Sequence, residues 1–149
     1  MQAIEVIINN FHVIAGYVLL ACFVAYLNYL INSRNRFAAA STKFHSSVLE
    51  ILMGLYPVPI NWPKNGVGID PILRDAFPRL QIAVAEFRPY IPWFRRKKYD
   101  NCWFRYRCST GREIDQQCYL HYMDFNDQPD PKITFKQNVD ALLSFAKKT

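Results

Sequence analysis

An uninterrupted apolar segment near the N-terminus limits the structures available to this chain. It runs from Phe11 to Ile31 as FHVIAGYVLLACFVAYLNYLI, 21 residues without Asp, Glu, Lys, Arg or Pro. A helix rises about 1.5 Å per residue, so about 20 apolar residues cross the roughly 30 Å core of a bilayer. The segment predicts a transmembrane anchor with a short external tail at residues 1–33, followed by a domain at residues 34–149.

Two other structures have segments of this length and composition: a cleaved signal peptide and the buried core helix of a soluble protein. A signal peptide begins with basic residues and ends at a small-residue cleavage site. Residues 1–33 hold no Lys or Arg, and polar residues from Asn32 to Arg36 follow the apolar core. A small domain rarely surrounds so long a helix on every side. We therefore expect an uncleaved signal anchor.

The charges that flank the segment predict its orientation. Arg34, Arg36 and Lys43 follow it, and no basic residue precedes it. Because an excess of Lys and Arg marks the cytoplasmic side of a span, we expect the N-terminus outside and residues 34–149 in the cytoplasm.

One stripe of the predicted span is less apolar than the rest. It contains Ala21, Ala25, Asn28 and Asn32, spaced by four, three and four residues. Small residues let helices approach closely, and an Asn side chain can donate a hydrogen bond across the interface. The stripe predicts a homo-oligomer that associates through this face. The alternative is that Asn28 lies hydrated near the lipid headgroups.

Positive charge is concentrated in the middle of the chain. The net charge is +6, but residues 34–112 alone hold 14 basic and 5 acidic side chains. A basic surface on a cytoplasmic domain favours an anionic partner, which can be lipid headgroups, nucleic acid or a nucleotide.

Helical periodicity runs through the domain, and no strand pattern is present, which predicts an all-α fold. An apolar seam at helical spacing predicts that the first helix continues beyond the span and packs in the core or forms an oligomeric stalk. The seam consists of Phe37, Ser41, Phe44, Val48, Ile51 and Leu55.

Proline positions predict where the later helices begin and end. Asp70-Pro71 and Asp130-Pro131 each combine a capping carboxylate with a proline that suits the first turn. We expect the helix from Asp70 to end near Phe77, because Pro78 follows. The residues expected to line the inner face of the last helix are Ile133, Val139, Leu142, Leu143 and Ala146.

The segment from Trp93 to Cys108 combines basic and aromatic side chains, and the spacing of Tyr99, Cys102, Trp103 and Tyr106 predicts one face of a helix. Guanidinium groups bind phosphate through paired hydrogen bonds, and aromatic rings stack on bases. The segment therefore predicts an anion-binding or nucleotide-binding site, and the alternatives are a solvated basic face and contact with anionic lipid. The predicted ligand-binding residues are Arg95, Arg96, Lys98, Trp103, Arg105, Arg107 and Arg112.

Motifs of catalysis or metal binding are absent from the sequence. Cys102, Cys108, Cys118 and His121 lack the paired CxxC spacing of a zinc site, and we expect reduced thiols in a cytoplasmic domain. The sequence contains no nucleophile elbow, phosphate loop, HExxH motif or paired carboxylates. We therefore predict a protein that is not an enzyme and that uses no metal or cofactor.

Three segments resemble a group of small bacterial membrane proteins of unassigned function with one N-terminal span and a helical cytoplasmic domain. They are NRFAAASTKFHSSVLEILMGLYP, FPRLQIAVAEFRPYIPWFRRKKYDNCWFRYR and FKQNVDALLSFAK. The resemblance implies an inner-membrane location. In layout the chain is also similar to membrane effectors of type III CRISPR defence, which bind cyclic oligoadenylate. That similarity implies an antiviral sensor whose ligand acts on an oligomeric span, and the alternative is a membrane-tethered adaptor for a protein partner.

Overall fold

A computed structural model of the chain describes residues 2–64, 68–108, 119–123 and 130–147, with side chains from Val13 onward except that of Leu120. These residues form helices and no β-strand, which confirms the predicted all-α fold. The α-helices are α1 (Gln2–Ile51), α2 (Ile69–Phe87), α3 (Trp93–Arg107) and α4 (Pro131–Leu143), and the 3-10 helices are Arg88–Tyr90, Leu120–Tyr122 and Ser144–Ala146.

Helix α1 is continuous from the apolar segment into the domain, with no break between Asn32 and Asn35. Contacts divide the chain within this helix into two compact units, Met1–Phe37 and Ala38–Thr149. Among the described residues, α1 is the one helix long and apolar enough to cross a membrane, and its most apolar window contains no buried residue. The first unit therefore fits a membrane anchor.

The second unit buries the predicted seam of α1. Ser41, Phe44 and Val48 are buried along the helix, and Leu52 and Leu55 are buried just after its end. The Phe44 ring stacks on that of Phe87, with centroids 4.6 Å apart and planes within 6°. Part of this seam therefore packs in the core of the domain, one of the two roles that its spacing predicts.

Helix α2 corrects the prediction that a helix ends near Phe77, because it continues through Pro78 to Phe87. An internal proline removes one backbone hydrogen bond and costs about 3 kcal/mol in a regular helix. Pro78 is exposed, so water can hydrate the backbone groups left without a partner. The buried stripe continues on both sides of it and includes Leu73, Phe77, Leu80, Val84 and Phe87.

Helix α4 begins as predicted, since the Asp130 carboxylate accepts a hydrogen bond of 2.9 Å from the Lys132 backbone N–H and Pro131 occupies the first turn. One predicted inner residue is wrong: the Ile133 side chain is 55% exposed, whereas Phe135, which the pattern did not indicate, is buried. The Trp62 ring packs edge-on against Phe135 at 5.5 Å. This contact ties the loop after α1 to α4 and selects the helix face that is buried.

Candidate functional site

Helix α3 carries the predicted ligand-binding residues, and its buried face is aromatic. Tyr99 and Tyr106 are buried and define a stripe along the helix. The Tyr99 hydroxyl donates a hydrogen bond of 3.1 Å to the Val84 carbonyl oxygen of α2. The Tyr106 ring lies about 6 Å from the rings of Tyr119 and Tyr122, both of which are buried.

The buried tyrosines are held in the neutral form. Burial raises the pKa of Tyr99, Tyr106, Tyr119 and Tyr122 above its usual value, because an apolar surrounding disfavours the phenolate. The Asn138 side-chain amide donates a hydrogen bond of 2.9 Å to the Tyr122 hydroxyl oxygen. The cluster is therefore a buried, uncharged aromatic layer to which α3 contributes Tyr99 and Tyr106.

Three of the predicted cations contact other parts of the protein. The Arg95 guanidinium lies 5.1 Å from the centroid of the Phe145 ring, and that of Arg107 lies 5.2 Å from the Phe104 ring. Arg96 donates hydrogen bonds to the backbone carbonyl oxygens of Ile91 and Pro89, at 3.0 and 3.2 Å. Their guanidinium groups are thus partly engaged within the domain.

Lys98 and Arg105 differ from these three cations. Both side chains are exposed, and neither forms a hydrogen bond or ion pair with another residue that the structure describes. At about 1.5 Å per residue they lie about 10 Å apart along the axis of α3, close enough for two long side chains to reach one ligand.

The predicted basic residues lie on two sides of α3. At about 3.6 residues per turn, Lys98 and Arg105 lie on one side of the Tyr99–Tyr106 stripe. Arg96 and Arg107 lie roughly half a turn away, on the other side. One small ligand on α3 can therefore contact one of these pairs, and Lys98 and Arg105 are the pair that forms no hydrogen bond or ion pair with a described residue.

Trp103 lies among rings of the domain itself. Its ring is nearly parallel to that of Phe77 at 5.7 Å and to that of Tyr106 at 5.5 Å. The predicted role of Trp103 in stacking on a base therefore requires a surface that these rings leave open. Arg112, the last predicted ligand-binding residue, lies outside the described residues.

The predicted oligomer face lies on the exposed part of α1. Ala21, Ala25, Asn28 and Asn32 are all exposed on this chain. Their spacing on one continuous helix places them on one stripe, and association of copies through this stripe stays a prediction.

Three exposed aromatic residues escaped the sequence-based prediction of the site. Trp93 is 79% exposed and Phe94 is 64% exposed, and Tyr90 precedes them at the end of a 3-10 helix. A signal was available: in a helix, Trp93 and Phe94 point away from the Tyr99–Tyr106 stripe, roughly 130° to either side. Large rings off the buried stripe indicate a surface with a role other than core packing.

The described residues offer no evidence of a metal site or an activated thiol. No three of their His, Cys, Asp and Glu side chains group in a way that could hold a metal ion. Cys118, one of the four residues considered for zinc, lies outside the described residues. Burial raises the pKa of the Cys102 thiol, so its reactive thiolate form is disfavoured.

Comparison with known proteins adds no relative. No family model, curated protein or solved structure matches this chain.

Proposed function

We propose that this protein is a membrane-anchored sensor, not an enzyme, whose helical domain binds a phosphate-bearing ligand on α3. The observation that carries the proposal is the exposed pair Lys98 and Arg105, which lies on one side of α3 without a partner among the described residues. An Arg guanidinium can hold a phosphate through two hydrogen bonds, and a Lys adds a point charge.

A cyclic oligonucleotide is the ligand class that we propose, since its regularly spaced phosphates suit two cations on one helix edge. The proposal includes an inner-membrane location with the domain in the cytoplasm, and a role in antiviral defence. Exposed apolar side chains between Val13 and Ile31 of α1 support the anchor, because a bilayer would cover them.

Coupling to the membrane is proposed to pass through α1, which enters the domain without interruption. Copies of the chain would associate through Ala21, Ala25, Asn28 and Asn32, and ligand binding would favour one arrangement of the spans over another. Such a shift requires a difference in ligand affinity between the two arrangements. Cross-linking in detergent tests the assembly, and a strictly monomeric protein would contradict it.

The binding test uses a fluorescently labelled cyclic oligoadenylate and the full chain in detergent. Lys98→Glu together with Arg105→Glu is expected to weaken binding about a hundredfold, the loss of two charge-assisted hydrogen bonds at about 1.5 kcal/mol each. Binding should also weaken as salt rises, because phosphate contacts are screened. Absence of binding by the unmodified protein at low salt would overturn the proposal.

The matched control is Lys132→Glu together with Lys136→Glu, which makes a comparable charge change at two exposed positions of α4. It should retain most of the affinity, because only the overall charge changes. Equal losses in both double variants would show that net charge alone attracts the probe, and that α3 holds no site.

An adaptor is the second candidate function, and a separate surface favours it. Met53, Val58 and Ile60, in the loop after α1, are 81%, 61% and 80% exposed. Exposed apolar side chains close together in the sequence are typical of a protein-binding surface. A partner protein that copurifies in high salt and is lost in Ile60→Asp would favour this candidate, because apolar contacts are not screened by salt.

A further inference from the structure

The direction of α2 decides which end of the domain its last residues occupy. Arg79 pairs with Glu50 at 3.5 Å, and Glu86 pairs with Lys43 at 2.7 Å, so α2 runs antiparallel to the part of α1 from Ala38 to Ile51. The residues after Phe87 therefore lie at the end where α1 enters the domain at Ala38. We call this end of the domain the entry end.

The chain turns at the entry end through a segment that we call the aromatic corner, residues 89–94 (PYIPWF). Helix α3 then returns along α2, since Tyr99 contacts Val84 and the ring of Trp103 stacks near that of Phe77. The corner thus joins two antiparallel helices and is the outermost part of that pair at the entry end.

The aromatic corner is held firmly to the domain. Ile91 is buried at its centre, and Arg96 donates hydrogen bonds to the carbonyl oxygens of Ile91 and Pro89. Arg88 and Asp100 form two hydrogen bonds of 2.8 Å across its base. Two prolines further restrict the backbone. These contacts fix the corner, so the exposure of its rings is a property of the fold.

The rings of the corner project from this fixed base into solvent. Trp93 and Phe94 contact each other edge-on, with centroids 6.1 Å apart, and both are largely exposed. A tryptophan ring has an apolar body and a polar N–H, which favours the boundary between lipid headgroups and acyl chains.

The charges around the corner have one sign. From Phe87 to Tyr99 the sequence holds five basic residues and no acidic residue, and Lys97 and Lys98 are exposed. Asp100 and Glu86, the nearest acidic residues in sequence, pair with Arg88 and Lys43. An anionic surface would therefore be attracted to the corner.

We propose that the aromatic corner is an interfacial membrane anchor, in which Trp93 and Phe94 enter the headgroup region of an anionic bilayer and Lys97 contacts its phosphates. Charge complementarity and the two exposed rings beside the basic residues select a lipid surface as the partner. Because the corner belongs to the same chain as a candidate span, insertion of that span would raise the local concentration of lipid around the corner. The domain would then have two attachments to the membrane.

The test places the full chain in nanodiscs of zwitterionic lipid alone or mixed with anionic phosphatidylglycerol, each with brominated acyl chains. Bromine quenches tryptophan fluorescence at short range, and subtracting the spectrum of Trp93→Phe isolates Trp93. We expect the Trp93 emission to shift to shorter wavelength and to be quenched by bromine in anionic nanodiscs. The proposal would be overturned if, in both kinds of nanodisc, aqueous acrylamide quenched Trp93 and brominated lipid did not.

Two variants make the result specific. Ile60→Trp in the Trp93→Phe background puts an exposed ring in the loop after α1. That loop begins after Ile51, about 15 Å along α1 from Ser41 near the entry end, so this ring should remain quenched by acrylamide alone. Lys97→Glu should reduce bromine quenching in anionic nanodiscs by severalfold, since each basic residue near an anionic surface contributes about a fivefold gain in binding. Bromine quenching of the Ile60→Trp variant equal to that of Trp93, or no effect of Lys97→Glu, would contradict a lipid site at the corner.

The result can be told apart from the nucleotide proposal, because the anchor depends on Trp93, Phe94 and Lys97 and is read with lipid probes. Lys98 adds to the charge near the corner, but the nucleotide site is read with the labelled cyclic oligoadenylate. Lipid quenching that persists in Lys98→Glu/Arg105→Glu would support the anchor whether or not that variant binds cyclic oligoadenylate. If adding the cyclic oligoadenylate were enough to abolish lipid quenching, the lipid site and the nucleotide site would not be separate.

Discussion

The two parts of α1 belong to one continuous helix and have opposite surroundings. Between Val13 and Ile31 no side chain is buried, and Phe23 is 57% exposed. Between Ala38 and Ile51, Phe44 and Val48 are almost completely buried. The first part is apolar on every side, so no single face can be covered by a small domain, whereas the second part carries one apolar stripe that the domain covers. The width of an apolar surface on a helix therefore decides whether the domain can bury it.

The largest expected effect compares the same substitution in the two parts. Phe44→Ala should lower the free energy of unfolding of the domain by about 3–5 kcal/mol, because it leaves a cavity beside Phe87. Phe23→Ala should change it by no more than about 0.5 kcal/mol. Chemical denaturation in detergent, followed by near-ultraviolet circular dichroism, measures both. Equal destabilisation would show that the first part also packs on the domain.

An added charge should have its larger effect in the first part of α1, whereas the alanine substitution has its larger effect in the second part. Leu20→Arg places a charge in the apolar window and should disfavour membrane insertion by about 2.5–3.5 kcal/mol. The share of the protein in the carbonate-extracted membrane fraction should fall accordingly. Thr42→Arg, at an exposed position of the second part, should leave that share unchanged. A soluble Thr42→Arg variant or an unaffected Leu20→Arg variant would contradict the assignment of the anchor to the first part.

The smallest expected effect concerns the loop that continues the second part of α1. The Tyr56 hydroxyl donates a hydrogen bond of 2.6 Å to the Asp140 carboxylate of α4. Tyr56→Phe should therefore lower the free energy of unfolding by about 1 kcal/mol at neutral pH.

The same residue predicts a dependence on pH. Burial first, and then the hydrogen bond to Asp140, raise the pKa of Tyr56 from 10.0 to about 12. The unfolded chain loses this proton first, so the contribution of Tyr56 is complete below pH 10 and is lost as the pH rises through about 12. The difference in Tm between the native protein and Tyr56→Phe should shrink over that range. A constant difference would show that neither burial nor the hydrogen bond raises the pKa of Tyr56 in the folded protein.

Local patterns predicted several elements correctly. The helix start at Asp130-Pro131 and the burial of most of the α1 seam follow from capping and periodicity. The helix through Pro78 and the exposed Ile133 did not follow, because each depends on which face of its helix the tertiary structure leaves in solvent. Pro78 is tolerated where solvent reaches it, and Phe135 is buried in place of Ile133 among the rings of Trp62, Tyr106 and Tyr122.

The candidate site could also be predicted from the sequence only in part. Helical spacing already separates Lys98 and Arg105 from Arg96 and Arg107 on α3. Spacing cannot show that Arg95 lies over Phe145, that Arg96 is bound to two carbonyl oxygens, or that Trp103 lies between neighbouring rings. The contacts of Arg95 with Phe145 and of Trp103 with Phe77 join different helices, and the bonds of Arg96 depend on how the chain turns before α3. Together they decide which cations remain available to a ligand.

By itself, the sequence determined an all-helical chain with one segment long and apolar enough for a membrane, because both properties depend on residues close together along the chain. Only the tertiary structure decided which cations stay exposed and that Trp93 and Phe94 lie where α1 enters the domain. The reason is that the antiparallel packing of α1, α2 and α3 rests on pairs such as Lys43 with Glu86 and Phe44 with Phe87, far apart in sequence.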